Sequence, residues 1–167
     1  MNKKFPMKTT LSALLAAFAL AACGGGSDDE GDDAPPAAAE AADKYVGTWS
    51  SACEPSGGSS RNYVWTLNKA GAAAVTGNHA INTWTNATCT GTPNSVNNLS
   101  LAFTIDATGT ASGKIVDKTS ASVSVGGQVK LLFAIESNTM YSSAYLASPP
   151  DADGYPTLLK LDRPLMK

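Results

Sequence analysis

From residue 44 onward the apolar residues fall on every second position in short spans, and each span closes on Gly, Pro, Asn, Asp or Ser. This alternation restricts the chain to β-strands joined by turns, because side chains on a strand point to opposite faces in turn. The clearest span follows Gly126-Gly127, where Val129, Leu131, Phe133 and Ile135 share one face of a strand over residues 128–136. Tyr63, Trp65 and Leu67 do the same over residues 62–68, and Leu99, Leu101, Phe103 and Ile105 repeat the pattern. Further strands are expected over 45–51, 72–76, 79–85, 114–118, 120–125, 139–146 and 157–162. Tight turns are expected at Gly77-Asn78, over 106–109 and at Gly126-Gly127. No segment carries a helical period. Eight to ten strands at near-regular spacing predict an all-β domain, a small antiparallel meander barrel, with a β-sandwich as the alternative.

Composition narrows the partners. Charged residues make up 16% of the chain, and the formal charge of −2 comes with no basic patch, so nucleic acid is excluded as a partner. The first 22 residues have the plan of an export signal: Lys3, Lys4 and Lys8 precede an apolar run, Leu11 to Leu20, too short to span a bilayer as a stable anchor. The run ends in Leu20-Ala21-Ala22-Cys23, and here the chain resembles the bacterial lipoproteins, whose lipobox has this form. The resemblance implies removal of residues 1–22, lipidation of Cys23, and a place in the cell envelope. Gly24 after the cysteine, in place of Asp, implies export to the outer membrane, with the domain in the periplasm or at the cell surface. Several acyl chains also meet the two-signal requirement for lasting membrane attachment.

Residues 23–43 carry seven acidic residues and no basic one, with no apolar side chain larger than Ala apart from Cys23 and the prolines. They are expected to form a disordered acidic tether. Residues 44–167 then make a single domain with nine basic and seven acidic residues. Cys53 and Cys89 are its two cysteines, and in an exported chain they are expected to form a disulfide. A redox pair would need a Cys-x-x-Cys arrangement, and zinc would need more ligands than two cysteines and the lone His79, so neither metal nor cofactor is expected.

The catalytic inventory is thin. No Gly-x-Ser-x-Gly elbow occurs, the domain acids Glu54, Asp106, Asp117, Glu136, Asp151, Asp153 and Asp162 lie mostly near expected strand ends and turns, and His79 in a Thr/Asn-rich strand reads as a surface or edge residue. A non-catalytic protein is the expectation.

Gly47-Thr48-Trp49 opens the first expected strand and Arg163 follows the last. In this the chain looks like the calycins, the group of lipocalins, fatty-acid-binding proteins and avidins, in which a Gly-x-Trp indole crosses the barrel floor against a cation from the end of the last strand. The resemblance implies a barrel-end pair of Trp49 and Arg163. Two functions follow. The barrel binds a small apolar ligand lined by Tyr63, Trp65, Leu131, Phe133 and Ile135, or its interior is filled and the domain is an envelope interaction or structural module that meets a protein or glycan through its surface.

Overall fold

The computed structural model describes residues 39–143 and 149–167. The leader, Cys23 and the tether as far as residue 38 lie outside the described residues, as do residues 144–148 of the strand expected over 139–146. A 3-10 turn, Asp43–Tyr45, leads into nine strands: β1 (Gly47–Ser51), β2 (Glu54–Ser56), β3 (Ser59–Gly71), β4 (Ala74–Trp84), β5 (Ser95–Ala111), β6 (Lys114–Val123), β7 (Gly127–Glu136), β8 (Thr139–Ser142) and β9 (Leu165–Met166). All pairings are antiparallel. The order runs β1-β9-β8-β7-β6-β5-β4-β3, and β1 pairs with β3 as well, so eight strands close on themselves. The fold is an antiparallel meander barrel, with β2 outside it as a short hairpin partner of β3. Closure leaves the eight barrel strands without a free edge, which suits a sheet this rich in Thr and Ser.

The inward face is continuous around the barrel. The register sets Trp49 opposite Trp65, Trp65 opposite His79, Leu101 opposite Val123, and Ala121 opposite Val129. One end is sealed. Tyr45, Trp49, Leu67, Val75, Phe103, Phe133 and Met140 are all buried there, with Tyr45 edge-on to both Phe103 and Phe133 at 5.1 and 5.8 Å. The indole Nε1 of Trp49 donates to the Tyr45 carbonyl at 2.7 Å, and the Tyr45 hydroxyl donates to buried Asp117. Lys44 Nζ meets the same carboxylate at 2.7 Å, so a charge inside the floor is both paired and hydrogen-bonded.

The cation over Trp49 is Lys167, with Nζ 5.2 Å from the ring, and not Arg163. The expected strand over 157–162 does not form beyond a single bridge of Leu159 to Ser143; the closing strand is β9, so the residue that leaves the barrel at the floor is Lys167. Arg163 precedes β9 and lies at the opposite end, beside Glu54. Gly47 makes room for the lysine. At φ +130°, a Cβ there would sit 2.7 Å from Lys167 Cε.

Three other expectations change. Gly77-Asn78 is not a turn; β4 runs through it, and a Cβ on Gly77 would lie 2.1 Å from the Thr66 carbonyl oxygen, so the glycine marks a close approach of β3 and β4. The reversal comes instead at Ala72-Ala73. The turn expected over 106–109 is an irregularity in β5 between Ile105 and Ala107. The domain also begins before Lys44. Ala42 is fully buried and donates its amide to the Ala72 carbonyl, while Glu40 and Asp43 both pair with Lys69 at 2.7 Å. The predicted disulfide forms: Cys53, between β1 and β2, joins Cys89 in the β4–β5 connection.

A second apolar cluster lies on the outer face of β6 and β7, where Val116, Leu132 and Ala134 are covered by Tyr155 and Leu159 from the β8–β9 connection. Lys118 and Lys130 lie over the Tyr155 ring at 4.9 and 4.3 Å, and its hydroxyl donates to Asp106 at 2.8 Å.

Candidate functional site

The inner face of β3 is more exposed at the end away from the floor. Leu67 is 1% exposed at the floor, while Tyr63 and Trp65, on the same face of β3, are only half-buried. His79 on β4, Leu99 on β5, Val123 on β6 and Val129 and Leu131 on β7 are likewise half-buried. The interior is packed at the floor and open at the mouth.

Two cavities occupy the mouth and share Trp65 and His79. The first, about 260 Å³, is bounded by Tyr63, Leu165, Ser51, Ser142, Lys160 and Arg163. The second, about 230 Å³, is walled almost wholly by apolar groups: Leu101, Val123, Val125, Val129 and Leu131, with Val125 76% exposed at its rim. A larger cleft of about 420 Å³ lies on the flank, where Arg61 and Arg163 approach opposite oxygens of Glu54, each at 3.4 Å.

Of the expected lining residues, Tyr63, Trp65 and Leu131 face the mouth cavities. Phe133 does not; it is 1% exposed in the floor, stacked on Phe103 at 5.1 Å. Ile135 is one inward position further toward the floor and packs on the same cluster. The expected pair of Trp49 and Arg163 is split between the two barrel ends.

His79 is the inward-facing residue that its sequence context conceals. Because Gly77-Asn78 continues the strand, alternation from Val75 through Gly77 turns His79 inward, where its ring stacks at 4.7 Å on Trp65 and 5.7 Å on Tyr63. Its Nε2 is buried without a hydrogen-bond partner, the one such side-chain atom among the described residues. An unsatisfied ring nitrogen in an apolar wall costs free energy until something fills its place. The domain carboxylates are otherwise engaged: Asp117 in the floor, Glu136 with Lys114, Asp151 with Lys118, and Asp106 with the hydroxyls of Ser120 and Tyr155. No group of three metal-ligating side chains occurs among the described residues.

Burial depresses His79 below its ordinary value of 6.5. The unfolded chain therefore takes up a proton that the folded barrel resists. The stability tied to this group is complete above pH 6.5 and is lost as the pH falls through the folded value. Asp43, Asp106 and Asp151 are held below 3.8, mainly by hydrogen bonds from Lys69, Ser120 and Lys118, so their contribution is lost only in a more acidic window. Urea midpoints should fall between about pH 7 and 5 in the wild type, and His79→Gln should flatten that part of the profile. Identical profiles for the two proteins would contradict an inward, neutral His79.

Comparison of the chain with protein-family profiles, with curated proteins and with solved structures finds no match.

Proposed function

We propose that this chain is a lipid-anchored, non-catalytic protein of the bacterial cell envelope whose barrel binds a small apolar ligand at its open end, in the manner of a lipocalin. The observation that carries the ligand reading is the half-exposed inner face of the mouth. A domain that spends seven buried residues on sealing the floor leaves Tyr63, Trp65, Leu131 and Val129 with one side unpacked. A filled interior would bury them as it buries Leu67. Each mouth cavity alone falls short of the roughly 300 Å³ at which ligand pockets usually begin, but two cavities meeting at Trp65 and His79 make a site of that order.

The test is the fluorescence of N-phenyl-1-naphthylamine, a neutral apolar dye that brightens on leaving water. Wild-type domain should bind it saturably. Leu131→Glu should weaken binding by about tenfold or more by placing a charge in the apolar wall. Ile115→Ser, at a 78% exposed position at the start of β6, remote from the mouth lining, should leave it unchanged. No enhancement with the wild type, or equal effects of the two substitutions, would favour the surface-acting module instead.

The anchor reading rests on the Leu20-Ala21-Ala22-Cys23 sequence after a charged and apolar leader. It places the chain in the outer membrane, held by acyl chains on Cys23, with residues 24–38 as an acidic spacer before the barrel. Metabolic labelling with an alkyne fatty acid should mark the wild type and leave Cys23→Ser unlabelled. Equal label on both would remove the anchor.

A further inference from the structure

We infer that the ligand of the mouth is an amphiphile with a single anionic head, a carboxylate or phosphate monoester, held by Lys160 and Arg163 while its apolar body lies along Trp65 and His79; this rests on the ligand reading above. The first mouth cavity has two charged side chains in its lining, Lys160 and Arg163, and both are basic. Lys160 Nζ makes no ion pair or hydrogen bond among the described residues, and its backbone amide, bonded to the Ser142 carbonyl at 2.9 Å, ties it to the rim. Arg163 meets carboxylates only through Nε, at 3.4 Å to Glu54 and 3.9 Å to Asp162, which leaves the terminal nitrogens of its guanidinium open. Ser51 and Ser142 add hydroxyls to the same lining. The other mouth cavity offers a wall of Leu101, Val129 and Leu131 with hardly any polar surface. Cations and hydroxyls at one side and hydrocarbon at the other, with Trp65 and His79 between, match a molecule of the same polarity. A guanidinium and an ammonium with spare donors bind anionic oxygens through charge-assisted hydrogen bonds.

The experiment is isothermal titration of the folded domain with four twelve-carbon ligands kept below micelle formation: dodecanoate, dodecyl phosphate, dodecanol and dodecyltrimethylammonium. One or both anions should bind at least about tenfold tighter than dodecanol, and the ammonium should bind most weakly. The stronger of the two anions identifies the head. Lys160→Ala, at an exposed side chain that bonds nothing, and Arg163→Ala should each bring the anion toward the affinity of dodecanol, a loss larger than any change in dodecanol itself. Equal binding of dodecanol and both anions, insensitive to these substitutions, would overturn the anionic head while leaving an apolar-ligand barrel standing. Preference for the ammonium would overturn it equally, and absence of binding by all four would overturn both readings.

Discussion

Replacing Trp49 with Ala should cost the domain about 3 to 5 kcal/mol, the range for truncating a fully buried Trp. Trp49 is 0% exposed at the centre of the barrel floor, and its Nε1 satisfies the Tyr45 carbonyl at 2.7 Å. The truncation therefore leaves a cavity and an unpaired buried carbonyl together. It also unseats the floor beneath the buried contact of Tyr45 with Asp117. Burial first, and the hydrogen bond to Asp117 next, push the Tyr45 hydroxyl well above its ordinary 10, so it stays a phenol. A double-mutant cycle identifies the cation. Lys167→Ala should couple to Trp49→Ala by roughly 0.5 to 1 kcal/mol, since the ammonium stands over the ring, whereas Arg163→Ala should add to it independently. Chemical denaturation of the three single and two double variants measures this. Coupling to Arg163 and additivity with Lys167 would contradict the arrangement of the floor.

The second large effect is loss of the disulfide. Cys53 and Cys89 are 36 residues apart, and the loop they close holds β2, β3 and β4. In the chain-entropy view, opening a loop of that length removes up to about 4 kcal/mol by freeing the unfolded chain. The double substitution Cys53→Ser, Cys89→Ser should therefore lower the urea midpoint strongly. It should also raise the slope of the transition, because the freed chain exposes more surface when it unfolds. The local tie is lost as well: Ser60 Oγ accepts the Cys89 amide at 2.9 Å, and Trp84 Nε1 donates to the Gly91 carbonyl at 2.9 Å, in a connection otherwise built from short polar side chains. An unchanged midpoint in the double variant would show that the bond contributes nothing to the fold.

The barrel was legible in the sequence because alternation is a local signal. Val129, Leu131, Phe133 and Ile135 announce their strand, and all four do face inward. Which of them would touch a ligand was not legible, because depth along the barrel depends on register with seven other strands; the same face carries Leu131 in the mouth and Phe133 in the floor. Alternation also hides burial on both faces. Leu132 and Ala134 are buried too, because Tyr155 and Leu159 return over the outside of the barrel. That return explains the failure at the closing strand: residues 157–162 look like a strand, yet Leu159 alone is buried there, while Leu158 and Leu161 are 52% and 45% exposed. With the last strand displaced to Leu165–Met166, the cation moves from Arg163 to Lys167. Gly77 misled for a related reason. A glycine that admits a neighbouring backbone and one that reverses the chain look alike in sequence, and reading the second concealed the inward turn of His79.

The central claim, that a ligand enters at the Trp65 and His79 end, is tested most directly by titrating ¹⁵N-labelled domain with N-phenyl-1-naphthylamine and mapping the amide and indole shifts. The account predicts saturable changes at Tyr63, Trp65, His79, Val129 and Leu131, including the Trp65 indole, with the Trp49 indole and Tyr45 amide unmoved. Changes centred on Trp49 and Tyr45, or scattered over the outward Thr and Asn positions with the mouth unaffected, would contradict it.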